Sequence, residues 1–153
     1  MRSLVLPDAN IEVLDTNDFE VPIFGVDLEE QIGVPESAQR FYEKVGAADV
    51  ILMSFAEHNG HYSAAYKNLF DWVSRIDGSI YRDTPSVFFS VSPGPNGAKK
   101  VLEAATKSSK HFGADLKASL SIPSFEDNFD QEKDKLTNTK LQADLITALE
   151  ALR

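Results

Sequence analysis

Cysteine is absent from this 153-residue chain. That excludes disulfides, thiolate nucleophiles and cysteine-ligated iron–sulfur clusters, so any redox chemistry must be carried by a bound cofactor. Basic residues are scarce as well: 15 Lys and Arg against 24 Asp and Glu leave a formal net charge of −9. A nucleic acid or an acidic membrane surface demands a basic face, so neither is expected as a partner. An anionic cofactor is still allowed, because backbone amides at turns and helix N-termini bind anions whatever the net charge. No apolar run approaches the roughly 20 residues of a membrane-spanning helix. The apolar segment after Arg2 is too short for a signal peptide, and cytoplasm is the expected compartment. What remains is the composition of one globular domain over residues 1–153, with 42% hydrophobic and 25% charged residues.

Hydrophobic patterning then places the elements. Ile11–Leu14 reads as a short strand. Thr16 to Gly33 is acidic and broken by Pro22 and Gly25, which predicts a loop. Pro35 and Glu36 suit a helix start, Ala38, Phe41, Tyr42 and Val45 share one face, and Gly46 is a stop. The continuous apolar run Val50–Met53 predicts a strand buried on both faces, as in a parallel sheet. A helix follows with Tyr62, Ala65, Tyr66, Leu69, Trp72/Val73 and Ile76 on one stripe. Ser86–Val91 is a second buried strand, and Ala98, Val101, Leu102, Ala105 and Phe112 form the stripe of the next helix, stopped by Gly113. Leu116–Ile122 alternates like an edge strand. Ser124–Lys135 reads as an acidic loop, and Thr139 with Gln142 as the capping box of a last helix bearing Leu141, Leu145, Ile146, Leu149 and Leu152. Strand and helix alternate throughout, which argues for a parallel sheet with helices on both faces.

In such sheets ligands bind beyond the C-terminal ends of the strands. Two turns leave such ends, Phe55–Gly60 and Ser92–Gly97, and both are rich in glycine and in groups that expose backbone amides. From composition alone each reads equally well as a plain connection. His58-x-x-His61 lacks a third ligand nearby, so no metal site is assigned. No Gly-x-Ser-x-Gly elbow is present, and Thr106–Lys110 lacks the glycines of a phosphate loop.

Asp49–Arg75 carries more than composition. Its strand runs into Ala56-Glu57-His58-Asn59-Gly60 and then into a helix with Tyr66-Lys67-Asn68 and Asp71-Trp72. This resembles the NAD(P)H-dependent FMN reductases, in which a strand, a Pro-Glu-Tyr-Asn-Gly turn and a helix with Leu-Lys-Asn and Asp-Trp follow at the same spacing. The resemblance implies an α/β, flavodoxin-like three-layer sandwich with a parallel sheet in the order 2-1-3-4-5. It implies an enzyme that binds FMN, takes hydride from NADPH or NADH, and passes it to a quinone, azo, metal-oxyanion or flavin acceptor. It implies a homodimer or homotetramer, which aromatics exposed around Tyr62–Trp72 are expected to serve. Carried over to this chain, the flavin ring would be contacted by Phe55, Ala56, Glu57, His58, Asn59, Ser92, Pro93, Gly94, Asn96 and Gly97. No side-chain acid or base is assigned. Trp72 and Phe70 are read as core or subunit contacts, Lys67 and Asn68 as surface or helix-packing residues.

Two positions depart from the motif: Ala56 replaces its proline and His58 its tyrosine. The family's first strand and its Ser/Gly-rich phosphate loop find no counterpart, since Met1-Arg2-Ser3-Leu4-Val5 resembles the tail of the helix that follows them. The expectation is therefore an N-terminally truncated domain with its first strand missing, weak FMN affinity and a tendency to self-associate. The alternative reading is a non-catalytic or weakly flavin-binding fragment serving as an interaction module.

Overall fold

A computed structural model describes residues 9–152; Met1–Val5, read above as the tail of a helix, lies outside them. Three strands form the central sheet, in the order β1 (Ile51–Phe55), β4 (Thr84–Val91), β5 (Ala114–Ile122), and both pairings are parallel. Between β1 and β4 come a two-residue-per-strand hairpin, β2 (Glu57–His58) with β3 (His61–Tyr62), and helix α3 (Ala64–Val73). Helix α4 (Lys99–Ser109) crosses from β4 to β5. The chain opens with α1 (Val26–Ile32) and α2 (Glu36–Gly46) and closes with a helical turn α5 (Phe125–Asn128), a short hairpin β6 (Phe129–Asp130) with β7 (Lys135–Leu136), and α6 (Thr139–Glu150).

Alternate residues of the strands feed two cores. On one face Ile51, Phe55 and Phe88 pack with Ala38, Phe41 and Val45 of α2, Tyr66, Leu69, Trp72 and Val73 of α3, and Val101, Leu102 and Ala105 of α4. On the other, Phe89, Val91, Leu120 and Ile122 meet Leu145 and Leu149 of α6 and Leu136 of β7. The expected three-layer arrangement is therefore present, and β5 lies at the sheet edge as its alternation predicted.

Several expectations are corrected. Ile11–Leu14 forms no strand, and Val13 is 72% exposed; a short apolar run becomes a strand only beside a partner edge, and none of the described strands pairs with it. The predicted loop Thr16–Gly33 holds a 3₁₀ turn at Thr16–Asp18 and all of α1. Leu28 turns inward against the main core, a single contact that gives too little periodicity to read from sequence. Strand β1 is not buried on both faces: Leu52 is 52% exposed, because α6 covers β5 and does not reach it. Ser124–Lys135 contains α5 and half of the last hairpin. The cap of α6 is Asn138, whose Oδ1 accepts the N–H groups of Lys140 and Leu141, while Gln142 donates to the Leu136 carbonyl. Of the aromatics expected to be exposed for assembly, Tyr66 and Trp72 are core residues, while Tyr62 and Phe70 are half-buried.

Candidate functional site

The two turns singled out in the sequence leave the C-terminal ends of neighbouring strands, β1 and β4, so the parallel register brings them side by side. The first is a tight hairpin. Asn59 and Gly60 both have positive φ, +52° and +82°, the geometry of a two-residue type I′ turn that suits Asn-Gly. Ala56, His58 and Asn59 are exposed, Glu57 is half-buried, and the Phe55 ring is packed edge-on against Tyr66 and Phe88.

The second turn is held from below by hydroxyls. Ser90 and Ser121 face each other across β4 and β5, and both donate to the carbonyl of Gly97, at 2.7 and 2.8 Å. Ser124 N–H donates to the Gly94 carbonyl at 3.0 Å. Gly97 has φ +57°, and a Cβ there would lie 2.2 Å from Ser121 Oγ and 2.9 Å from the Pro123 nitrogen, so only glycine fits. Ala98 follows with φ +56°, a left-handed conformation that costs a non-glycine residue about 1–2 kcal/mol. Pro93 and Asn96 are exposed, Ser92 and Gly94 half-buried. Among the described residues, the N–H groups of Gly94, Asn96 and Lys100 have no acceptor.

A contact not foreseen in the sequence joins the turns. Glu57 Oε2 accepts the N–H of Val101, in the first turn of α4, at 3.1 Å. The N-cap residue of α4 is Ala98, which has no side chain able to cap. Lys100 also lies over the hairpin, its Cδ 3.4 Å from where a Cβ on Gly60 would stand.

A separate open cleft of about 630 Å³ lies between the Thr16–Pro22 segment and α3, lined by Thr16, Asn17, Phe19, Glu20, Val21, Pro22, Ala65 and Asn68. Asn68 builds its wall. Its Oδ1 accepts the N–H of Phe24 at 2.8 Å, and its Nδ2 donates to the carbonyls of Val21 and Pro22 at 3.3 and 3.0 Å. Trp72 Nε1 donates to the Pro22 carbonyl at 2.7 Å, and Phe24 packs edge-on against its ring. These two motif residues latch the 21–24 segment onto α3. Only their polar atoms, at helical spacing on an otherwise apolar stripe, could have signalled it.

The nearby titratable groups moved from their ordinary values are tyrosines. Burial raises Tyr62, Tyr66 and Tyr81, and the hydroxyls of Tyr66 and Tyr81 pair at 2.8 Å. They stay neutral at any working pH. Among the described residues no group of three His, Cys, Asp or Glu side chains is placed to hold a metal.

Comparison with known proteins turns this geometry into a classification. The family model "NADPH-dependent FMN reductase" matches residues 2–126. The chain belongs to that family. An NAD(P)H-dependent FMN reductase of Pseudomonas aeruginosa is 30% identical over 97 residues, which are 63% of this chain and 51% of that protein. An uncharacterised protein of Mycoplasma pneumoniae is 27% identical over 126 residues, 79% of this chain and 75% of that one. The chain therefore spans about half the length of the Pseudomonas reductase. In structure it resembles FerB, a flavoenzyme NAD(P)H:(acceptor) oxidoreductase from Paracoccus denitrificans, with a TM-score of 0.70 at 23% identity, covering 92% of this chain and 76% of that one. The fold is accordingly the flavodoxin-like α/β sandwich. FMN and NAD(P)H are the cofactors that membership implies, and the site suits a flavin ring on its own terms. Its amides without an acceptor among the described residues are donors of the kind a ring's carbonyl edge takes, and its exposed, small-residue turns leave the backbone open to a flat ligand.

Proposed function

We propose that this FMN reductase family chain passes hydride from NADPH or NADH through FMN to a small-molecule acceptor, a quinone, azo compound, metal oxyanion or free flavin. The observation that carries the reading is the pair of turns at the ends of β1 and β4, the second of which holds the amides of Gly94 and Asn96, without an acceptor among the described residues. When bound, the flavin supplies the hydride chemistry. The protein's part is to hold and cover the ring. The backbone of Phe55, the exposed Ala56, His58 and Asn59, and the half-buried Glu57 form one wall. Ser92, Pro93, Gly94, Asn96 and Gly97 form the other. The hydroxyls of Ser90 and Ser121 fix the second wall before a ligand arrives, so little ordering cost is left for binding. Ala56 in place of proline and His58 in place of tyrosine leave the first wall looser, with a smaller ring face beside the ligand. Assembly as a homodimer or homotetramer and a cytoplasmic location are parts of the same proposal. No helix among the described residues is long and apolar enough to cross a membrane.

The test is titration of the purified chain with FMN, followed by flavin fluorescence, with NADPH and NADH oxidation assayed against a quinone, an azo dye and free flavin. Saturable binding and acceptor-dependent oxidation are expected. A cocrystal with the ring away from both turns would overturn the site assignment.

A further inference from the structure

Helix α4 begins badly by the usual rules. Its first turn carries Lys99 and Lys100 and no acidic residue, so two cations sit at the positive end of the helix dipole. Its N-cap is an alanine in the left-handed region, without a side-chain acceptor. The missing acceptor and the missing negative charge both come from Glu57, 44 positions earlier in the chain, which takes the Val101 N–H at 3.1 Å. Glu57 belongs to the hairpin that forms one wall of the proposed flavin site, and α4 is the helix into which the other wall runs. The carboxylate is half-buried and pinned to one amide. Lys100, stretched over Gly60, closes the same junction from outside.

We infer that Glu57 is a positioning residue that locks the two flavin-binding turns into one rigid cleft and, by its charge, sets the potential of a flavin bound there. The inference rests on the flavin reading above. Two physical consequences separate the functions of this one side chain. Its oxygen is a hydrogen-bond acceptor that fixes the distance between the walls; loss of the acceptor lets the hairpin move and weakens ligand binding. In the proposed site its negative charge would lie near a ring that gains negative charge on reduction, and would oppose that reduction. Glutamine retains the acceptor and removes the charge, whereas alanine removes both.

The experiment compares the intact chain with Glu57→Gln, Glu57→Ala and, as a control on the exposed face of α4, Glu103→Gln. The readouts are FMN affinity, the midpoint potential of bound flavin, and exchange of the Val101 amide in the ligand-free protein. Glu57→Ala should weaken FMN at least tenfold and speed Val101 exchange. Glu57→Gln should bind FMN within about threefold of the parent while shifting the potential to more positive values, and Glu103→Gln should change none of the three. Should Glu57→Ala fail to fold, the unchanged affinity and raised potential of Glu57→Gln still decide the matter. Parent-like potential in Glu57→Gln, or parent-like affinity in a folded Glu57→Ala, would overturn the inference and leave the flavin reading standing. A parent chain that binds no FMN would overturn both.

Discussion

At the scale of single residues, the buried tyrosine pair has the sharpest consequences. Tyr66 and Tyr81, both buried, share a hydrogen bond at 2.8 Å in the core cluster with Phe55, Phe88 and Leu69. Tyr66→Phe leaves the Tyr81 hydroxyl without its partner and should cost about 1–3 kcal/mol, while the double Tyr66→Phe, Tyr81→Phe variant should lie much closer to the parent. A double-mutant cycle by urea denaturation measures it. Burial raises the pKa of both hydroxyls above that of an unfolded tyrosine. Only the unfolded chain then releases these protons above about pH 10, so the stability they support is complete below that pH and falls as pH rises beyond it. Alkaline denaturation curves should steepen there, and the double phenylalanine variant should flatten them. Gly97 is the second such residue. Gly97→Ala adds a Cβ 2.2 Å from Ser121 Oγ at a positive φ. It should lower stability by about 1–3 kcal/mol and release the second turn, visible as faster exchange of the amides near Ser124.

At the scale of elements, caps and latches decide which segments stay put. The last helix is capped by Asn138 rather than by the Thr139 that its sequence suggested. Asn138→Ala should cost about 1 kcal/mol, and Thr139→Ala only a few tenths, in thermal melts of the two variants. The segment 21–24 is fastened to α3 by Asn68 and Trp72. Asn68→Ala removes three hydrogen bonds at once and strands the Phe24 N–H beside the core. It should destabilise the chain by about 2–3 kcal/mol, with the exchange of amides 21–28 rising before that of β4. Both effects were hidden in sequence because capping and latching depend on where a polar atom ends up, which residue type alone leaves open.

At the scale of the whole molecule, the described residues leave one side of the sheet open. Among the described residues nothing pairs with the outer edge of β1, and Leu52 is 52% exposed on the face that α6 does not cover. An unpaired edge with an apolar residue on it is a template for association. Light scattering should therefore show concentration-dependent self-association, and Leu52→Lys should reduce it with less than about 0.5 kcal/mol of change in stability, as befits an exposed position. If Leu52→Lys leaves the scattering unchanged, association runs through another surface, of which Val13, Ile23, Val26 and Ile32, all more than half exposed, are the candidates.

The sequence by itself determined the parallel α/β alternation, the helices α2 to α4, the two turns and the family, because each is written locally. Buried strands read as apolar runs, amphipathic helices as a 3.6-residue stripe, and Asn59-Gly60 as a tight turn whatever surrounds it. Ile11–Leu14 shows the limit: it has a strand's composition, and no pairing edge among the described strands makes it one. Leu52 shows the same limit for burial, since its exposure depends on how far α6 extends over the sheet. Only the tertiary structure revealed that Glu57 completes α4, that Ser90 and Ser121 share the Gly97 carbonyl, and that Asn68 holds the wall of a cleft. Those are contacts 44, 7, 24 and up to 47 residues apart. A hydrogen bond is satisfied by geometry in space, and chain separation carries no information about it until the fold has closed.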